Sequence, residues 1–271
     1  MKKIYTWGGK FSDRNITIAD IIKSKGKKKL LQTTAINSEE SAAAKEAGFD
    51  MLLCKSPNIQ NVRQGAPDIF LTATIDLALF PTKDDVLREA FDSMKKGADQ
   101  IYTARGPHIV EMLAKEDIPV MCHLGLVPRK SSWKGGLRAI GKTAKEAHDL
   151  YLDFKTMESA GAISAECEII LSDVMHEIYK RTNLVISSLG SGTSGDIIYL
   201  FQNDICGEHK DIPRHARAFG NLEKLKSELF NQRIKALSKF KKSVSNKTFP
   251  NNNEIINMKK DELEQFKKLI S

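Results

Sequence analysis

Several side chains in this sequence have types and spacings that do chemistry. Cys122-His123 closes a short apolar run, Ile118 to Met121, and opens onto a Gly/Pro-punctuated loop carrying Trp133, Lys134, Gly135, Gly136, Gly141 and Lys142. A histidine at the carboxyl end of a buried strand sits where α/β proteins place their reacting groups. Glu166-Cys-Glu168 puts two carboxyls at alternate positions of another strand-like run, which directs both to one face. Glu168, at the end of the run, suits a general base, and Glu166 on the same face is a nearby decoy. The bland reading of Glu168 is a carboxylate facing the amino end of the following helix. Lys55-Ser56 follows a further apolar run, and Arg105 and Lys134 are free to pair with a carboxylate, Arg bidentately, or simply to face solvent. Gly190-Ser-Gly-Thr-Ser-Gly195 offers backbone N–H groups to an anion, but lacks the lysine of a nucleotide-binding loop.

The elements that must position these groups alternate. Strand-like runs fall at residues 30–35, 49–54, 68–74, 100–103, 118–121, 162–168 and 184–189, and helical patterns lie between them. Asn37 with Glu40, and Thr143 with Glu146, have the spacing of capping boxes, and Gly48, Gly97 and Gly161 end helices. Seven strands alternating with helices predict a parallel sheet with crossover helices, and that many units favour a (β/α)8 TIM barrel over an open sheet. A short helix over 16–23 precedes the barrel, and residues 196–202 read as helix or irregular structure. The barrel unit is expected to span 1–250. A linker and a last helix occupy 251–271, preceded by a long amphipathic helix over 221–242. Those terminal helices suit packing on the barrel or on a second copy.

The chain has 271 residues, 41% hydrophobic and 28% charged, with a formal net charge of +8. That is enough for a sizeable core. The lysine runs read as a solvated surface: only Phe240 and Phe266 interleave with them, on helix faces, so no nucleic-acid partner is expected. No run approaches a membrane span and no apolar leader opens the chain, so no membrane partner is expected. Cys54, Cys122, Cys167 and Cys206 stand far apart without a C-x-x-C pair, which argues against a zinc ribbon and for reduced thiols in the cytoplasm.

Four stretches in order carry a resemblance: residues 16–26, Ile118-Pro-Val-Met-Cys-His-Leu-Gly-Leu-Val-Pro128, Gly135-Gly-Leu-Arg-Ala-Ile-Gly-Lys-Thr143, and Gly190 through Gly207, with Thr248-Phe-Pro250 fitting the tail. Over residues 16–250 the sequence resembles ketopantoate hydroxymethyltransferase, a (β/α)8 family of the phosphoenolpyruvate mutase/isocitrate lyase superfamily. The resemblance implies one-carbon transfer from methylenetetrahydrofolate to 3-methyl-2-oxobutanoate. It implies a Mg²⁺ held by aspartates, an enolate, and a homo-oligomer. It puts His123 and Glu168 on the family's active-site histidine and catalytic glutamate. The family's acidic metal positions fall instead on Lys55 or Ser56, on Thr74, and on Tyr102-Thr-Ala104. Loss of three carboxylates removes the oxygen ligands that Mg²⁺ wants, so no metal ligand is expected. The expectation is therefore a small 2-oxo acid as partner, with Glu168, His123 and Lys55 catalytic. Ser56, Thr74, Tyr102 and Arg105 are expected to bind the substrate, with Lys55 supplying the missing positive charge. A non-catalytic oligomeric homologue is the alternative.

Overall fold

The computed structural model describes all 271 residues. Eight parallel strands close into a barrel: β3 (Leu30–Thr34), β4 (Met51–Lys55), β5 (Phe70–Thr74), β6 (Gln100–Thr103), β7 (Val120–Gly125), β8 (Ser164–Glu168), β9 (Val185–Leu189) and β10 (Ile197–Tyr199). Each pairs with the next, and β10 returns to β3 with Ile197 opposite Leu30. This is the expected (β/α)8 barrel. Outside it, β1 (Lys2–Tyr5) and β2 (Phe11–Arg14) form an antiparallel hairpin ahead of α1 (Ile18–Ser24).

Three local expectations change. The eighth strand lies in the stretch read as helix or irregular; at three residues it is too short to show a period. Its approach is set by Gly195, where an added Cβ would meet Ser188 Cβ at 2.8 Å and the Ile186 carbonyl at 3.1 Å. The strand expected to stop at Met121 runs on to Gly125, so His123 is a strand residue and points into the barrel. The amino-terminal hairpin was not foreseen, because its strands are polar and four residues each.

Crossovers are made by α2 (Ser38–Glu46), α3 (Ile59–Gly65), α4 (Lys83–Lys95), α5 (Pro107–Lys115), α6 (Ala144–Ser159) and α7 (Ser172–Tyr179). Asn37, Thr82 and Thr143 each cap a helix by accepting a backbone N–H. A core of 35 buried residues lies mainly between barrel and helices. The barrel interior is graded along its axis. Its amino end is apolar, with Leu30, Met51, Phe70, Val185 and Ile197 packed on Ile21 of α1. Above this, Ser187 donates to Gln32 Oε1 at 2.7 Å and Gln100 donates to Ser164 at 2.9 Å, which pairs buried polar groups with one another, although Gln32 Nε2 has no partner. The carboxyl end carries Tyr102, His123, Glu166 and Glu168. Beneath the barrel, Asp99 is gripped by Arg14 of the hairpin at 2.7 Å and by Arg63 of α3 at 2.6 Å.

The flank formed by β3 and β10 lacks a covering helix. Leu31 and Ile198 remain 44% and 37% exposed there, unusual for barrel strands. After the short α8 (Gln202–Cys206) come α9 (Leu222–Ser245) and α10 (Lys260–Leu269), and neither has a buried residue. Leu225, Leu229, Phe230, Ile234, Leu237, Phe240 and Val244 of α9 are all exposed.

Candidate active site

The carboxyl ends of the strands open into a cavity of about 570 Å³, within the range of small-molecule sites. Its wall includes Lys55, Thr74, Tyr102, His123, Glu166 and Glu168, brought together from β4, β5, β6, β7 and β8. Strand register explains the meeting: Glu166 lies opposite His123 and Glu168 opposite Gly125, so both carboxyls share the inward face with the imidazole.

His123 is the hub. Its Nε2 lies 3.0 Å from Glu168 Oε2 and 3.6 Å from Glu166 Oε1. Its Nδ1 lies 2.5 Å from Tyr102 Oη, and that hydroxyl also donates to Glu166 Oε1 at 3.1 Å. The side chains of His123, Glu166 and Glu168 are only 5%, 6% and 13% exposed, so their charges interact with little screening. Burial pushes the Glu166 carboxyl up, with Glu168 adding to it, and burial holds the Tyr102 hydroxyl well above its usual range. Burial alone would strip the proton from His123, but the carboxylates of Glu168 and Glu166 outweigh it and raise the imidazole overall. Such an arrangement can take and return a proton at the wall of the cavity.

Lys55 is on the cavity wall, exposed, and forms no ion pair within 4.0 Å. Thr74 is on the wall, and its buried Oγ1 has no hydrogen-bond partner. Ser56 is buried off the wall in a 3₁₀ turn, its Oγ also unpartnered. Arg105 is not on the wall. Its guanidinium donates to the carbonyls of Leu77 at 2.9 Å, of Pro81 at 3.4 Å, and of Phe80, which fastens the loop after β5 and uses up the fork. Lys134 is exposed in the loop after β7, away from the cavity. The Gly190–Gly195 turn packs rather than cradles. Gly190 lies against Ile169 and His215, Gly192 against Ser172, and Ser191 donates to the Cys167 carbonyl at 2.7 Å.

The sequence reading passed over Arg129, which reaches the wall from the residue after Pro128 and grips Asp76 with contacts of 2.8 and 2.7 Å. That bidentate pair holds the Asp76 carboxyl at about 2. Asp76 is thereby committed, and no substitute for the missing aspartates. The positions implied for Mg²⁺ hold Lys55, Ser56, Thr74, Tyr102 and Ala104, a set with no carboxylate oxygen. They do not fit that ion.

A family model described as ketopantoate hydroxymethyltransferase matches residues 56–252. The chain belongs to that family. A 3-methyl-2-oxobutanoate hydroxymethyltransferase of Staphylothermus marinus is 26% identical over 277 residues, covering 93% of this chain and 100% of that protein. The Pyrococcus abyssi enzyme of the same name is 28% identical, covering 88% and 90%. Among solved structures, a 2,3-dimethylmalate lyase of the PEP mutase/isocitrate lyase superfamily aligns with TM-score 0.53 at 12% identity, covering 84% of this chain and 88% of that one. A phosphonopyruvate hydrolase complexed with oxalate and Mg²⁺ aligns with TM-score 0.52 at 11% identity, covering 94% and 97%. At those identities the structures speak for the fold alone. No helix is long and apolar enough to cross a membrane.

Proposed function

We propose that this member of the ketopantoate hydroxymethyltransferase family is an enzyme that binds a small 2-oxo acid and makes or breaks a carbon–carbon bond next to its carbonyl through an enolate. The observation that carries this reading is the 3.0 Å approach of His123 Nε2 to Glu168 Oε2 on the wall of the cavity. Glu168 takes the proton from C3, and the electron pair of that C–H bond becomes the enolate. His123 lies against the Glu168 carboxylate and orients it, Tyr102 holds the imidazole from its other nitrogen, and Lys55 adds a cation at the wall for the oxygen that gains charge. Thr74 turns its unpartnered hydroxyl to the substrate, and Ser56 supports the turn behind Lys55. Buried, unpaired Cys54, Cys122 and Cys167 favour a reducing, cytoplasmic setting.

The test is exchange of the C3 hydrogen of 3-methyl-2-oxobutanoate in D₂O, followed by NMR with and without chelator. Glu168→Gln is expected to slow exchange by about 10²–10⁴-fold, the usual worth of a positioned base. No exchange and no binding of any 2-oxo acid by the wild type sinks the reading.

The same reading includes self-association. The bare flank of β3 and β10 and the unseated apolar stripe of α9 are complementary defects, and a second copy remedies both. Light scattering is expected to give a mass of at least a dimer, and Leu229→Asp with Leu237→Asp to lower it. A monomeric wild type at micromolar concentration refutes the assembly.

A further inference from the structure

The geometry points to a divalent-cation site formed by His123 Nε2, Glu166 Oε1 and Glu168 Oε2, replacing the acidic positions that this chain has lost. Three observations carry it. First, the ligand atoms are spaced for one ion. At metal–ligand bonds of about 2.1 Å, neighbouring ligands lie about 3.0 Å apart at right angles and about 3.4 Å apart in a tetrahedron. The imidazole nitrogen lies 3.0 and 3.6 Å from the two carboxylate oxygens, and His123, Glu166 and Glu168 each offer a ligand atom within 4.8 Å of the other two. Second, His123 Nε2 is buried without a hydrogen-bond partner, because its approach to Glu168 is close but misaligned. Tyr102 has one hydroxyl proton and donates it to Glu166, so its contact with His123 needs the proton on Nδ1. That tautomer leaves the Nε2 lone pair facing two carboxylates, which is the orientation of a ligand held by its outer shell. Third, no lysine or arginine nitrogen lies within 4.0 Å of Glu166 or Glu168, so the two buried carboxyls face one imidazole and no other counter-charge.

Glu166 is the residue that makes this a site. Without it, one carboxylate and one imidazole form an ordinary pair. One nitrogen and two carboxylate oxygens suit Mn²⁺, Fe²⁺ or Zn²⁺ better than Mg²⁺. The site faces the cavity, so such an ion would have open positions toward a 2-oxo acid's carboxylate and keto oxygens, acting as a Lewis acid. This rests on the reading proposed above and extends it. Glu168 binds through Oε2 alone, and its other oxygen stays free to accept the proton.

The full-length protein is stripped with chelator and titrated with MnCl₂ by calorimetry and by the loss of the free Mn²⁺ EPR signal. One Mn²⁺ per chain is expected, bound at least about tenfold tighter than Mg²⁺. Glu166→Gln and His123→Asn are each expected to weaken binding by about tenfold or more, since even outer-shell losses cost that much. Asp76→Asn leaves it unchanged. Circular dichroism checks that the variants fold. If they do not, a manganese anomalous peak in wild-type crystals, at bonding distance from His123 and Glu166, decides the matter. No stoichiometric Mn²⁺ or Zn²⁺ binding, equal binding by both variants, or a peak elsewhere overturns the proposal. Binding of 2-oxo acid by the stripped protein is measured separately. Oxo-acid binding without ion binding removes only the cation site, and ion binding without oxo-acid binding removes only the substrate reading.

Discussion

Tyr102→Phe removes one oxygen from the most buried part of the site, and its consequence can be worked out from the contacts that oxygen makes. The hydroxyl serves His123 Nδ1 at 2.5 Å and Glu166 Oε1 at 3.1 Å, and no other side-chain hydrogen bond reaches either atom. Deleting it leaves two buried polar groups unsatisfied, each costing about 1–3 kcal/mol. Phe retains the ring packing against Leu53 and Met121, so little apolar burial is lost. A net destabilisation of about 2–4 kcal/mol is expected. For a chain of this size each kcal/mol moves the melting temperature by about 2–4 °C, so Tm falls by roughly 4–16 °C. The assay is thermal unfolding at pH 7 in chelator, repeated in a Glu166→Leu background. If Glu166 is a main group left stranded, the hydroxyl deletion costs less than about half as much there, because contacting residues are not additive. A drop of under about 2 °C in the wild-type background, or full additivity, refutes the account of Tyr102 as the joint between the imidazole and the inner carboxyl.

Further outcomes follow from the same contacts. His123 and Glu166 both have raised folded-state pKa values, so the folded protein holds more protons than the unfolded chain above their usual values of 6.5 and 4.5, respectively. Their contribution is fully present at lower pH and is lost as pH rises through the folded values. Chelated wild-type protein should therefore lose stability as pH rises above the usual carboxyl and imidazole values, relative to a Glu166→Gln, His123→Asn double variant, and parallel curves would contradict this. In the opposite direction, Asp76 and Glu146 are held at about 2 by Arg129 and Arg138, and their support disappears as pH falls from about 4 toward 2. Arg105→Ala should lower Tm by several degrees, since charged hydrogen bonds are worth about 1.5–3 kcal/mol, while changing 2-oxo acid affinity by less than about threefold. A tenfold loss of affinity with unchanged Tm would return Arg105 to the substrate.

The parts of this architecture legible in the sequence are those governed by period and punctuation. Seven of the barrel strands show as apolar runs bounded by glycines and caps, because they are buried on both faces. Alternation alone puts Glu166 and Glu168 on one face. Closure is harder to read. β10 contributes three residues, and what seats it is the space beside Gly195, a fact of distant backbone rather than of local pattern. His123 was read as lying past a strand end, since Cys122-His123 interrupts hydrophobicity. The strand continues because its backbone pairs with β8 through Gly125 whatever the side chains. Arg105 and Arg129 show the limit most clearly. Both follow barrel strands, and charge alone cannot say which one binds carbonyls and which meets an aspartate 53 positions away.

Barrel closure between β3 and β10 also has a consequence in time. Leu30 finds its partner only in Ile197, so the first barrel strand is synthesised long before the last. At about 5–20 residues per second, roughly 10–30 s pass during which β3 has no partner on that side. Through that interval the nascent chain carries an open, apolar sheet edge, the kind that pairs with other chains. The hairpin waits less, since Asp99, the anchor of its Arg14, follows only 85 residues later. Slow synthesis or depletion of chaperones should therefore act first on the yield of this protein, leaving unchanged the stability of the molecules that do close.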